Sequence, residues 1–152
     1  MNASQKEQTV EMLLVEDNPA DVALAQMSLK ETKLAHNLHV TRDGDAALAF
    51  LRRLPPYAAA PRPALVLLDL NLPRKDGREV LAEIKGDKEL AEIPVVILTT
   101  SNADRDILHA YKMHANSYIT KPTGFDKWVD SFRSFHDFWF KTAKLPSSVK
   151  RS

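Results

Sequence analysis

The feature that most constrains this chain is an apolar run that ends in a single carboxylate. Residues 64–68 read Ala-Leu-Val-Leu-Leu, follow Pro63 and lead directly into Asp69. A short apolar run between strand-breaking residues is typical of a strand buried on both faces of a sheet. An ionised Asp at the end of such a strand is costly unless a partner compensates its charge. Taken alone, Asp69 can equally cap a turn or the next helix, so residues elsewhere must decide its role.

Strands and helices alternate five times along the chain. Besides residues 64–68, apolar patterning predicts strands over residues 11–15, 38–41, 93–98 and 116–120. Helical spacing of apolar residues predicts five helices, over residues 19–31, 43–53, 76–86, 101–113 and 123–144. The strands at 64–68 and 93–98 are wholly apolar, which indicates a parallel sheet with helices on both faces. The predicted fold class is therefore α/β, with a doubly wound sheet.

Three of these helices begin with sequences that resemble helix caps. Asn18 followed by Pro19 predicts an N-cap and a first helical residue. Ser101 through Asp104 resembles a capping box for the fourth helix, and Thr123 with Asp126 suits the start of the fifth.

Length and composition favour one domain. The chain has 152 residues, 44% of them hydrophobic, which suits a single core in the usual range of about 100–150 residues. We expect one folded domain over residues 10–145, preceded by a flexible N-terminus (1–9) and followed by a tail (146–152). Residues 54–63 hold four prolines and predict an extended insertion loop, whereas residues 123–145 predict a long last helix and a C-terminal arm.

Charge and cysteine content exclude several functions. The 21 Lys and Arg residues nearly balance the 20 Asp and Glu residues, for a formal net charge of +1, so electrostatics supports neither nucleic-acid nor membrane binding. The absence of cysteine excludes disulfides and thiolate metal sites. No apolar run approaches the length of about 18 residues that a membrane span needs, and we expect a cytoplasmic protein.

Polar side chains follow four of the predicted strands: Glu16 and Asp17, Asp69 and Asn71, Thr99, and Lys121. The carboxyl ends of parallel strands meet at one edge of the sheet. Acids gathered there repel one another unless a cation lies among them, and Mg²⁺ prefers such oxygen ligands. A lysine and a hydroxyl facing the same point suit a phosphoryl group. Each residue alone can be an ordinary strand end, so the combination carries the argument.

Four segments together resemble the receiver domain of two-component response regulators, with its CheY-like fold: residues 15–18, 67–77, 98–101 and 118–122. The resemblance covers about residues 10–140 and implies the strand order 2-1-3-4-5. It implies that Asp69 accepts a phosphoryl group from a sensor histidine kinase, with Mg²⁺ or Mn²⁺ held by Glu16, Asp17, Asp69 and the backbone carbonyl of Asn71. It further implies that Thr99 and Tyr118 form a switch pair, that Lys121 binds phosphate and that the bond before Pro122 is cis.

A receiver of this kind is not a conventional enzyme, although it catalyses its own phosphotransfer and autodephosphorylation. Its expected partners are the kinase and a downstream protein or phosphotransfer protein. One alternative is a Mg²⁺-dependent phosphatase of the haloacid dehalogenase type, but that family has Asp-x-Asp where this chain has Asp69-Leu70-Asn71. A phosphorylation-independent scaffold is disfavoured because no member of the site is missing.

Aromatic residues are concentrated in the last predicted helix, where residues 125–140 hold five of the six Phe and both Trp. Most of them fall on one helical stripe and suit the core. Phe138 lies off that stripe, and with Phe140 and Leu145 it predicts an exposed apolar surface and a homodimer. The segments 70–81 and 138–146 are also similar to single-domain regulators that are paired with bacterial phytochrome kinases.

Overall fold

Five parallel strands form the centre of the computed structural model, which describes residues 9–149. They are β1 (Val10–Val15), β2 (His36–Thr41), β3 (Leu65–Leu68), β4 (Val95–Thr99) and β5 (Ser117–Thr120). Their order across the sheet is β2-β1-β3-β4-β5, which confirms the predicted order. Of the predicted flexible N-terminus only residue 9 is described, and residues 150–152 of the predicted tail also lie outside the described residues.

Helices follow every strand, as the alternation predicts. They are α1 (Pro19–Glu31), α2 (Gly44–Leu51), α3 (Gly77–Gly86), α4 (Asp104–Lys112) and α5 (Phe125–His136). A π-helix over Asp137–Thr142 and a 3-10 turn over Pro146–Ser148 complete the described chain. Within residues 9–149, no helix is long and apolar enough to cross a membrane.

Two apolar cores form because successive residues of a strand face opposite sides of the sheet. Leu13 and Val15 of β1 belong to the core that includes side chains of α2 and α3. Met12 and Leu14 belong to the core that includes side chains of α1 and α5. All four are at most 1% exposed, and burying each contributes about 1.5–3 kcal/mol. The central strands are therefore fixed from both faces.

Two of the three predicted caps differ from the structure. Asn18 caps α1 as predicted, because its Oδ1 accepts the backbone N–H of Ala20 at 2.9 Å. Ser101 does not cap α4, which begins at Asp104 after Ala103, since the Ser101 hydroxyl donates to Asp106 instead. Thr123 does not cap α5 either.

The residue before α5 is Gly124, at a φ of 91°. Glycine adopts this backbone conformation without strain, whereas a threonine at the same position would be strained by its Cβ. The helix therefore begins one residue later than the capping sequence predicts.

The predicted long last helix is present, but its hydrogen-bonding pattern changes part of the way along and it ends at Thr142 instead of residue 144. The chain changes to a π-helix at Asp137 and leaves it after Thr142. A π-helix pairs residues five apart, which brings the ring of Phe140 to 5.7 Å from that of Phe135. Phe140 is consequently half-buried.

The predicted exposure of Leu145 is also wrong. The chain turns after Ala143, and Leu145 is 8% exposed, whereas Phe138 is 53% exposed. Of the three residues predicted to form an exposed apolar surface, Phe138 is therefore the one that is exposed.

The Pro-rich insertion packs against α2. Its Tyr57 ring lies 5.4 Å from the ring of Phe50, which is part of the core. The loop is thus attached to the domain through an aromatic contact, while Leu54 at its start is half exposed.

Candidate functional site

The carboxyl ends of the strands meet as the sequence predicts. The Asp69 N–H donates to the Val15 carbonyl at 3.1 Å, which ties the end of β3 to the end of β1. The Lys121 N–H donates to the Thr99 carbonyl at 2.7 Å, which ties the end of β5 to β4. These backbone bonds hold the side chains that follow the strands at one edge of the sheet.

Lys121 lies at the centre of this edge. Its Nζ is 2.7 Å from Glu16 Oε1, 2.8 Å from Asp21 Oδ2 and 3.1 Å from Asp69 Oδ2. The Lys121 side chain is only 6% exposed, and Glu16 and Asp69 are buried too. A buried ammonium needs such compensation, so the structure confirms the predicted proximity of Glu16, Asp69 and Lys121.

Burial and pairing shift two pKa values at this site. Burial raises the pKa of Glu16 to about 7, although the Lys121 hydrogen bond opposes this. Burial alone lowers the pKa of Lys121. The hydrogen bonds from Lys121 to Asp21 and Glu16 outweigh the effect of burial, so the pKa of Lys121 lies above its ordinary value. Lys121 therefore remains a cation at neutral pH, facing the phosphoacceptor candidate.

Thr99 and Tyr118 lie on neighbouring strands beside this edge. The Thr99 side chain is fully buried, and its hydroxyl has no hydrogen-bond partner among the described residues. Leaving such a group unpaired costs about 1–3 kcal/mol, so a ligand oxygen that accepts its proton would be favoured. The half-buried Tyr118 donates its hydroxyl to the Ser101 carbonyl at 2.9 Å.

Two parts of the site escaped the sequence reasoning. Asp21 is an acid in the first turn of α1 that the strand-end pattern does not include, yet it contacts Lys121. Asp106 accepts the Ser101 hydroxyl at 2.6 Å and pairs with Arg78 at 3.0 Å. This network connects α3 to the β4–α4 loop. One feature of the sequence could have identified Asp21 as a site residue. It lies shortly after Asp17, in the first turn of the helix that follows a site strand.

The predicted cis bond before Pro122 is not present. Within residues 9–149 the cis peptide bond joins Pro55 to Pro56, so the Lys121–Pro122 bond is trans. The trans form of an X–Pro bond is intrinsically favoured by about 0.5–1 kcal/mol. With it, Lys121 still reaches all three carboxylates.

The donor atoms at this edge suit a divalent cation. Asp17 is exposed next to Glu16, and Asn71 follows Asp69 closely enough for its N–H to donate to Asp69 Oδ1 at 3.4 Å. No three acidic or His side chains among the described residues converge on one metal position. Mg²⁺ does not need three, because it usually takes one or two carboxylates, other oxygens and waters. The residues present therefore fit a hard cation.

Comparison with known proteins agrees with the fold and the site. The family described as "Response regulator receiver domain" matches residues 12–133, and the chain belongs to this family. It is therefore a receiver of phosphorylation-based two-component signalling, and the phosphatase alternative is not favoured.

Individual members of this family show which known response regulators the chain is similar to. Response regulator Rcp1 of Synechocystis is 47% identical over 137 residues, covering 90% of this chain and 93% of that protein. The structure of its Mn²⁺-bound form superposes with a TM-score of 0.85 at 47% identity, covering 90% of this chain and 99% of that one. The phosphorylated cyanobacterial phytochrome response regulator RcpA gives a TM-score of 0.87 at 48% identity, covering 91% and 99%.

Proposed function

We propose that Asp69 accepts a phosphoryl group from the phosphohistidine of a phytochrome-type sensor histidine kinase, and that the modified protein signals through its surface. One observation carries this proposal: the buried Asp69 carboxylate lies 3.1 Å from the Lys121 ammonium. The similarity to Rcp1 and RcpA supports the phytochrome pairing. We also propose that this phosphotransfer takes place in the cytoplasm.

Transfer requires one bond exchange. An Asp69 carboxylate oxygen bonds to phosphorus as the bond from phosphorus to the histidine nitrogen breaks, and the electron pair stays on that nitrogen. The attacking atom is a carboxylate oxygen and no proton is exchanged in this step, so positioning and charge neutralisation matter more than proton transfer. In this sense the protein catalyses its own phosphorylation. In autodephosphorylation the oxygen of a water molecule bonds to the same phosphorus as the bond from phosphorus to the Asp69 oxygen breaks, which returns the carboxylate and releases inorganic phosphate with the protons of the water.

The site residues have separate roles in this step. Lys121 donates to one transferred oxygen, and the Thr99 hydroxyl, which has no hydrogen-bond partner within residues 9–149, donates to another. Glu16, Asp17, Asp69 and the Asn71 carbonyl would hold Mg²⁺ or Mn²⁺. Such a cation, when bound, neutralises charge on the phosphoryl oxygens.

The phosphoryl group carries about −1.5 to −2 charges, but it replaces the negative charge of the carboxylate, so the net gain at Asp69 is about −0.5 to −1 charge. Thr99 moves toward the new oxygens, and Tyr118 adjusts because it hydrogen-bonds the loop that follows Thr99. The affected surface comprises α4, β5 and α5. Leu108 and Tyr111 of α4 are 70% and 49% exposed there, which suits contact with a downstream protein or a phosphotransfer protein.

Phosphotransfer profiling tests the function and the kinase class together. We expect radiolabelled phosphate to pass within seconds to minutes from an autophosphorylated phytochrome-type kinase to this protein when Mg²⁺ is present. Chelation with EDTA should slow the transfer strongly, because the transferred charge then lacks its cation. A histidine kinase of another sensor class is the matched control. Equal transfer from both kinases would contradict the phytochrome pairing, and no transfer from either, with or without Mg²⁺, would contradict the phosphoacceptor function.

We also propose that Phe138 mediates homodimerisation, because it is 53% exposed in the π-helix that follows α5. Wild-type protein should sediment as a dimer over a concentration series, and Phe138→Glu should shift it to a monomer. Leu108→Glu, at a more exposed apolar position on α4, should leave the dimer intact. A wild-type monomer throughout the series would defeat this proposal.

A further inference from the structure

Asp21 contacts the phosphate-binding lysine from an unexpected direction. It lies in the first turn of α1, whereas Lys121 follows β5, a hundred positions along the chain. Its Oδ2 is 2.8 Å from Lys121 Nζ, closer than the 3.1 Å of Asp69 Oδ2. The Asp21 side chain is 19% exposed, so this contact is largely shielded from water. The contact is therefore part of the site and not a solvent-screened surface pair.

The ammonium group has three N–H donors, and three carboxylates surround it. Glu16 and Asp21 take two of them, which leaves the third for Asp69. A lysine side chain otherwise rotates freely about its flexible four-carbon stem. Two acceptors at fixed positions thus determine where the third N–H points.

We propose that Asp21 is a positioning residue for phosphoryl transfer: together with Glu16 it holds the Lys121 ammonium so that one N–H faces Asp69 and then a phosphoryl oxygen on it. This inference rests on the proposed phosphoacceptor role of Asp69. Asp21 is not among the residues that would hold the cation. A bound cation would therefore not compete with Lys121 for the Asp21 carboxylate.

Two other roles for Asp21 predict different behaviour. An acid in the first turn of a helix stabilises that helix through its dipole, and this role alone predicts a small loss of stability with no change in the phosphorylation rate. A negative charge beside the site also repels an incoming phosphate. That role alone predicts that Asp21→Asn and Asp21→Ala both react faster, and by similar factors.

The positioning role predicts a third pattern. Asn keeps a side-chain oxygen that accepts from Lys121, whereas Ala has none. Asp21→Asn should therefore retain a rate within about threefold of wild type, and Asp21→Ala should react about tenfold more slowly, because a misplaced donor stabilises the transferring group less. The charge of Lys121 is unchanged in either variant.

A double-mutant cycle tests this pattern. Initial rates of labelling by acetyl phosphate are measured at saturating Mg²⁺ for Asp21→Ala alone, for Lys121→Ala alone and for the double variant, at donor concentrations that make the slowest variant measurable. Acetyl phosphate is used because it has no kinase docking surface. We expect Asp21→Ala to slow the wild-type background about tenfold and to change the Lys121→Ala background by less than about twofold.

The outcomes of this cycle distinguish the positioning role from the other two roles of Asp21. Equal slowing in both backgrounds would show that Asp21 acts independently of Lys121 and would overturn the inference. No slowing of Asp21→Ala, or a faster rate for both Asp21 variants, would also overturn it. Failure of the wild-type protein to label at Asp69 would instead refute the proposed function, so the two failures are distinguishable.

Discussion

Replacement of Asp69 by Asn should abolish phosphorylation by a phosphohistidine donor or by acetyl phosphate. An amide oxygen cannot form the acyl phosphate that a carboxylate forms, so acid-labile, hydroxylamine-sensitive label should fall to background. Folding should survive, because Lys121 keeps its contacts with Glu16 and Asp21. Removing one of the three acids around Lys121 also relieves repulsion between them. Circular dichroism and gel autoradiography of the same samples measure folding and label together.

An acid outside the site provides the matched control for this experiment. Asp130 lies on α5 with its side chain 76% exposed and only a marginal contact, at 4.0 Å, to Arg133. Asp130→Asn should label like the wild-type protein. Full labelling of a folded Asp69→Asn variant would show that another residue accepts the phosphoryl group, and the assignment of Asp69 would fail.

Replacement of Gly77 by Ala should destabilise the domain by about 3 kcal/mol or more, in the upper range for overpacking. Gly77 is the first residue of α3, and a Cβ there would lie 2.1 Å from the Asp69 carbonyl oxygen and 2.7 Å from the Leu70 Cα. Both are backbone atoms at the end of β3, so neither can rotate away. The clash must move either α3 or the segment that carries the phosphoacceptor. Urea denaturation measures the loss of stability, and acetyl phosphate labelling measures the displacement of Asp69.

Gly86 offers a control within the same helix. A Cβ at Gly86 meets no atom within 4 Å, so Gly86→Ala should be neutral or stabilise the protein by up to about 1 kcal/mol through helix propensity. Unfolding free energies that are equal for Gly77→Ala and Gly86→Ala would rule out the close approach of α3 to β3.

The outcomes at the site illustrate what a sequence can predict about this class of fold. Asp69, Glu16 and Lys121 were identified because each follows a predicted strand, and parallel strands direct their carboxyl ends to one edge. Asp21 was not identified as a site residue because it lies on a helix. Its contact with Lys121 depends on the path of α1 across the sheet edge, which local patterning does not encode.

The sequence likewise predicts the packing of the C-terminal region only in part. The aromatic stripe correctly predicted that Trp128, Phe132 and Phe135 are buried, because helical periodicity is a local property. The change to a π-helix at Asp137 altered that periodicity and brought Phe140 against Phe135. The exposure of Phe138 followed from the pattern, whereas the burial of Leu145 did not.

The sequence by itself determined the strand–helix alternation, the parallel sheet and the carboxylate, hydroxyl and lysine at its edge, because these depend on apolar periodicity and on residues adjacent to strand ends. Only the tertiary structure decided that Asp21 completes the set of acids around Lys121, that Gly77 must lack a side chain and that Leu145 is buried. Those three facts depend on distances between segments far apart in the chain, and such distances are fixed when helices pack on the sheet.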